Sequence, residues 1–201
     1  MVALRVTTII ITAMIGTAIG ETLSGANNPS GRLPVTFYKG VDQLPAFKDY
    51  AMKERTYRYF TGTPLYPFGH GLSYTSFAYG KPVLSSASLK AGDTLGVDVD
   101  VSNTGKVDGD EVAQLYLSFP AAPGMPIRAL RGFSRVHLAA GAHARVHFDL
   151  SARDVSSVTA AGDRVVSPGA YRLTVGGGQP GTGAPTAAAG FKVIGSVTLP
   201  E

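Results

Sequence analysis

Four stretches in the second half of the chain alternate apolar and polar residues with a period of two, and they decide what it can fold into. Leu95, Val97, Val99 and Val101 alternate with Gly96, Asp98, Asp100 and Ser102. Ala113, Leu115 and Leu117 alternate with Gln114 and Tyr116, and Val146, Phe148 and Leu150 with His147 and Asp149. Tyr171, Leu173 and Val175 alternate with Arg172 and Thr174. Successive side chains of a strand point to opposite faces, so each stretch reads as a strand with one face in a core. Asn103-Thr104-Gly105 supplies turn chemistry after the first. Residues 78–84, 130–136 and 191–194 bring the total to about seven strands in roughly 120 residues, with no helical period between them. That pattern predicts an antiparallel β-sandwich of immunoglobulin or fibronectin type III kind.

Composition agrees. Hydrophobic residues make up 44% of the 201 and charged residues 16%, enough to bury a core. The 25 glycines and 13 prolines suit many short strands joined by turns. The length allows one ordinary domain plus part of a second. The absence of cysteine excludes disulfides, zinc–thiolate sites and cysteine nucleophiles. A net charge of +4 is mildly basic. Arg128, Arg131, Arg135 and Arg145 are interleaved with apolar residues at strand-like spacing, so they read as solvated strand faces or a docking surface, and no nucleic-acid partner is expected.

The remaining segments are less regular. Residues 1–20 set one Arg before an uncharged apolar run, with Ala18 and Gly20 at the end. This is the form of a secretory signal and implies a secreted or periplasmic location. A buried helix or strand of a core fits as well, because cleavage after Gly20 would split a unit running from Gly16 to Gly25. The run is too short for a membrane span. Residues 17–25 suggest a short helix, with Ile19 and Leu23 one turn apart, and residues 33–38 a short buried strand. Residues 41–75 are rich in aromatics, Pro and Gly and fit no period, which reads as an extended segment laid over another surface. Residues 176–190, rich in Gly, Ala and Pro, read as a flexible loop.

Little here points to chemistry. Glycosidic hydrolysis generally needs two carboxyl groups facing each other. The candidate pairs, Asp98 with Asp100 and Asp108 with Asp110 and Glu111, fall on an outer strand face and beside a turn, where carboxylates are expected to be solvated. Oxygen ligands cluster at Asp108-Gly109-Asp110-Glu111, but the spacing matches no EF-hand loop. His143 and His147, four apart on a strand, are separated by about 13 Å of rise and cannot share a metal. His70 sits in the turn Phe68-Gly69-His70-Gly71. No catalytic residue, metal or cofactor is expected.

Two stretches carry more specific information. Residues 16–38, with Asn27-Asn28-Pro29-Ser30-Gly31-Arg32-Leu33-Pro34 at their centre, closely resemble the end of the α/β sandwich domain of glycoside hydrolase family 3 enzymes. Arg55-Thr56-Tyr57-Arg58-Tyr59-Phe60 and Pro64-Leu65-Tyr66-Pro67-Phe68-Gly69-His70-Gly71-Leu72-Ser73-Tyr74-Thr75 resemble the connector that follows. Glu111–Leu117, Leu130–Phe133 and Pro168–Leu173 are similar to the family's fibronectin type III-like domain. The form of the connector is similar to the β-xylosidase branch.

The resemblance implies a mostly β chain: a fibronectin type III-like sandwich at 77–195, a connector at 56–76, a remnant of an α/β sandwich domain at 16–55, and an unplaced apolar lead at 1–15. It implies retaining exo-β-glycosidases, chiefly β-glucosidases and β-xylosidases. Their Asp nucleophile lies in an N-terminal barrel, usually after Ser, and their Glu acid/base lies upstream of the stretch seen here. This chain has no Ser-Asp pair, and its glutamates are Glu21, Glu54, Glu111 and Glu201, none in a matching context. The expected role is therefore a C-terminal accessory portion, inactive alone, whose partners are the parent's catalytic domains. Arg55, Tyr57, Arg58, Tyr59, Phe68 and Tyr74 are the expected interdomain docking residues, their rings exposed when those domains are absent. The alternative is a non-catalytic polysaccharide- or protein-binding module, which the lack of Trp and the concentration of rings in the connector disfavour.

Overall fold

The computed structural model describes residues 14–120, 122, 124–159 and 161–200. Most of the apolar lead, residues 1–13, lies outside them. Residues 14–24 are helical (α1), and Gly25, at φ +79°, closes the helix in the left-handed conformation that glycine adopts freely. The expected strand at 33–38 does not form: only one bridge, Phe37 to Tyr66, is made, and Val35 and Phe37 are exposed. The run bonds to the connector at its two ends, Leu33 with Gly69 and His70 and Phe37 with Leu65 and Tyr66, and Pro34 between them has no N–H to give. A 3-10 turn lies at Val41–Gln43, and a single helical turn, α2 at Thr56–Tyr59, opens the connector.

Twelve strands follow among the described residues: β1 Phe77–Tyr79, β2 Val83–Leu84, β3 Ser88–Lys90, β4 Leu95–Asn103, β5 Gly109–Ser118, β6 Ala129–Leu138, β7 His143–Leu150, β8 Ser157–Val158, β9 Arg164–Val166, β10 Gly169–Gly176, β11 Thr186–Ile194 and β12 Val197–Leu199. A short helix, α3 at Ala152–Val155, follows β7. One sheet centres on β4, with β1 and β2 along one edge and β7 along the other. The second has the order β3-β11-β10-β5-β6. A third small sheet, β12-β9-β8, closes one end. Pairing is antiparallel except between β3 and β11.

All seven expected strand regions carry strand, 78–84 as two short ones, β1 and β2, and the alternation places the core-facing residues correctly. Leu95, Val97, Val99 and Val101 of β4 meet Ala113, Leu115 and Leu117 of β5 and Leu173 and Val175 of β10 in one core. Asp98 and Asp100 point outward to His147 and Arg145, as expected. Four short strands, β3, β8, β9 and β12, are too brief to show a period. The expected loop at 176–190 is a loop only in part. Thr186–Gly190 belongs to β11, where the small residues Ala187, Ala188 and Ala189 pair with Val175, Thr174 and Leu173 of β10. Backbone pairing, not side-chain pattern, makes that strand.

Asn103, at the end of β4, is buried and saturated with hydrogen bonds. Its amide nitrogen donates to the Val107 and Leu138 carbonyls, and its oxygen accepts from the Thr75 hydroxyl and the Gly105 N–H. The turn expected here is thus tied to the connector at Thr75.

Candidate functional site: the seam between the N-terminal segment and the sandwich

The middle of β5 is buried on both faces. Leu115 and Leu117 face the core, while Gln114 and Tyr116, on the other face, are also covered. The cover is the connector. Tyr57 and Phe68 stack with ring centroids 4.1 Å apart, and both set an edge against Tyr116, at 6.1 and 6.5 Å. The Tyr116 hydroxyl donates to Gln114, and the Gln114 amide donates to the Gly69 and Gly177 carbonyls. The Tyr57 hydroxyl accepts the Leu130 N–H at 3.0 Å. The segment expected to lie over another surface therefore lies over its own sandwich, and Tyr57 and Phe68 do not form the exposed patch expected of them.

The Asn-Pro-Ser-Gly-Arg run is stitched to the sandwich at three points. Asn28 donates to the Asp108 carbonyl and accepts from Ser73 and the Tyr74 N–H. Ser30 accepts from Arg135, which also holds Asp110. Arg32 forms a buried ion pair with Glu111 and donates to the carbonyls of Gly177, Ser30 and Gly31. The other Glu111 oxygen accepts from the Tyr79 hydroxyl at 2.6 Å.

Glu111 is thus not solvated as expected. It is only 1% exposed, because β5 carries it under the run that supplies Arg32. No side chain fits between these parts. A Cβ on Gly177 would lie 2.3 Å from the Glu111 carboxylate, and one on Gly71 would lie 2.3 Å from the Gly31 carbonyl.

Burial pushes the Glu111 carboxyl above its ordinary range, against the pull of the Tyr79 hydroxyl and the Arg32 guanidinium. Burial, then the Glu111 charge, raises the Tyr79 hydroxyl far above its own. Asp110 moves the opposite way, held down by hydrogen bonds from His137 and Arg135. A raised folded pKa contributes stability at low pH that is lost as pH rises through it; a lowered one contributes stability that is lost as pH falls through it. Asp110→Asn is therefore expected to flatten the acid limb of the stability–pH curve below about pH 4. Thermal melts between pH 2 and 5, read against the parent chain, check this; an unchanged limb excludes Asp110 as its source.

A cavity of about 400 Å³ opens beside the seam, lined by Arg32, His70, Glu111 and Gln179 among others. Glu111 is the only carboxylate in that lining, and Arg32 and Tyr79 already hold it. The other candidate carboxylates are likewise occupied: Asp98 by His147, Asp100 by Arg145, Asp108 by the Ala140 N–H. The arrangement can hold two segments together, but it offers no facing pair of carboxyls for glycoside hydrolysis. Among the described residues no helix is long and apolar enough to cross a membrane.

The other expected docking residues are dispersed. Arg55 donates to the carbonyls of Asp49 and Ala51 within its own loop. Arg58 lies over the Tyr59 ring at 5.7 Å. Tyr74 is half exposed, its hydroxyl donating to the Thr22 carbonyl. Of the arginines expected on solvated faces, Arg135 and Arg145 are exposed, but Arg128 and Arg131 are partly buried and burial lowers their pKa values. Arg32, Tyr79 and Tyr116 were not among the candidates. A lone Glu opening the apolar strand Glu111–Leu117 was the available signal.

Exposed apolar side chains include Ile15, Ile19 and Leu23 of α1 and Phe47, Tyr50 and Leu72. Such a surface is expected to drive concentration-dependent association of the isolated chain. Light scattering tests this; a clean monomer at high concentration contradicts it.

Comparison with known proteins places these parts. Residues 5–74 match the glycosyl hydrolase family 3 C-terminal domain, and residues 111–179 match the fibronectin type III-like domain. The first match takes in residues 5–15, which the sequence had left unplaced. The chain is 41% identical over 162 residues to a xylan 1,4-beta-xylosidase of Xylanibacter ruminicola, covering 80% of this chain and 18% of that protein. It is 39% identical over 188 residues to the probable beta-glucosidase D of Aspergillus niger, covering 80% and 25%. Among solved structures, a β-glucosidase from Erythrobacter marinus matches with a TM-score of 0.75 and 38% identity over 89% of this chain and 24% of that one. The β-glucosidase of Kluyveromyces marxianus in complex with glucose matches with a TM-score of 0.80 and 29% identity, over 92% and 24%. The chain thus spans a quarter or less of the length of these relatives, and its residues 5–74 and 111–179 match the family's C-terminal domain and the fibronectin type III-like domain: it belongs to glycoside hydrolase family 3.

Proposed function

We propose that the chain is the C-terminal accessory portion of an exo-acting, retaining β-glycosidase of the β-xylosidase or β-glucosidase type, serving carbohydrate breakdown and inactive by itself. The observation that carries this reading is the asymmetry of its N-terminal segment. One side is locked into the sandwich through Arg32 and Glu111, while α1 leaves Ile15, Ile19 and Leu23 open in a stripe at helical spacing. A helix so placed is half of an interface. The remainder of an α/β sandwich domain is the partner that would cover it, and the fibronectin type III-like domain then acts as a brace that fixes how the connector leaves that domain.

The relatives' names and the share of them that this chain spans support the same reading. The DNA upstream of the Met1 codon tests it. An open frame encoding a barrel with an Asp nucleophile is the expected finding, and an unrelated gene ending there would contradict it.

A further inference from the structure

Three guanidinium groups converge where the connector meets the far end of β6. Arg58, Arg131 and Arg164 line a cavity of about 310 Å³ together with Tyr59, Phe119, Ser156 and Ser157. Among the described residues none of the three is paired with a carboxylate; the nearby Asp154 carboxylate is taken by the Ser151 N–H and hydroxyl in a capping box. The Nε–H groups of Arg58 and Arg131 are buried with no hydrogen-bond partner. Arg131 does donate to the Ser156 carbonyl and stacks on Phe119, and Arg164 donates to the Ser156 hydroxyl. Among the described residues the Arg58 guanidinium makes no hydrogen bond; its backbone carbonyl anchors the loop by accepting from Ile127 at 2.7 Å.

The strand itself is bent to make this place. Leu115 pairs with Gly132 and Tyr116 with Leu130, so Arg131 is the extra residue of a β-bulge, a device that re-aims a side chain. Burying like charges together without a counter-charge is costly, and the cost shows in the lowered pKa of Arg131, caused by burial and then by Arg58. Guanidinium forks match the oxygens of phosphate and carboxylate groups.

We propose that the cavity of Arg58, Arg131 and Arg164 is an oxyanion site, which takes a phosphate-like or carboxylate group between the three guanidinium groups that line it. The site is independent of any glycosidase activity. The oxyanion is either a free ion or a carboxylate carried by a neighbouring segment, and the test separates the two.

The purified 201-residue chain is titrated with inorganic phosphate, and separately with acetate, at constant ionic strength in chloride. Thermal midpoints and the arginine Nε–Hε resonances are followed. Saturable stabilisation on the order of 5 °C is expected near a hundredfold excess over the dissociation constant, with Arg58 and Arg131 resonances shifting together. A response to phosphate alone assigns a tetrahedral ion; a matching response to acetate assigns a carboxylate. Arg58→Met removes a guanidinium that makes no hydrogen bond among the described residues and keeps an apolar stem beside Tyr59, so it should fold, and it should weaken the response at least about tenfold. No response to either anion, or the same saturation in Arg58→Met and Arg164→Met, overturns the proposal.

Discussion

Replacing Arg32 by Met is expected to destabilise the chain by about 3–5 kcal/mol, lowering its thermal midpoint by roughly 10 °C. The substitution leaves the Glu111 carboxylate buried, with the Tyr79 hydroxyl as its one remaining side-chain donor. It also frees the Gly177 carbonyl, which Arg32 holds at 3.1 Å. The loss should come from the stranded charge rather than from the pair's own attraction. Arg32→Met/Glu111→Met is therefore expected to recover most of it, since apolar replacements of both partners leave no charge to bury. Denaturant melts of the two single variants and the double variant give the coupling directly. A double variant as unstable as the two losses added would show that the residues act separately and that the seam is not held by this pair.

Tyr57→Ala should be nearly as costly, at about 3 kcal/mol, although the ring is only partly buried. The ring stacks on Phe68 and sets an edge against Tyr116, and its removal uncovers the outer face of β5, where Gln114 and Tyr116 are buried. Tyr57→Phe keeps the stack and loses only the acceptor for the Leu130 N–H, so about 1 kcal/mol is expected. The ratio of the two losses measures how far the connector is held by ring packing. Equal losses would mean that the hydroxyl, not the ring, does the holding.

How far these features could be read in advance follows from the range of the interactions that make them. The alternation in Leu95–Asn103 and in Gly109–Ser118 is local, and it placed the core residues of both strands correctly. Glu111 misled because its partner is 79 residues away in sequence; a carboxylate beside a turn reads as solvated until the Arg32 run is seen to lie over it. Partners 45 and 63 residues away from Gln114, and the distant rings of Tyr57 and Phe68, likewise hid the burial of Gln114 and Tyr116, which look like an ordinary outer face. Thr186–Gly190 is a strand because β10 offers it backbone partners, and a run of Ala and Gly carries no period to announce that. The rings of Tyr57 and Phe68 were identifiable as anchors, but not the surface they anchor to. Apart from that strand, the deciding contact joins the connector or the Arg32 run to the sandwich, and none of these contacts leaves a mark in a short window of sequence.

Under the proposed function, this chain braces a sugar-cleaving site that lies in other domains of its parent. Its own carboxylates beside the seam are committed to Arg32, Arg135, His137 and Tyr79. The most direct measurement is turnover of nitrophenyl β-xyloside and nitrophenyl β-glucoside by the purified chain. Release of nitrophenol no faster than in buffer is the expected result, and clear enzyme-dependent release from either substrate would contradict the account.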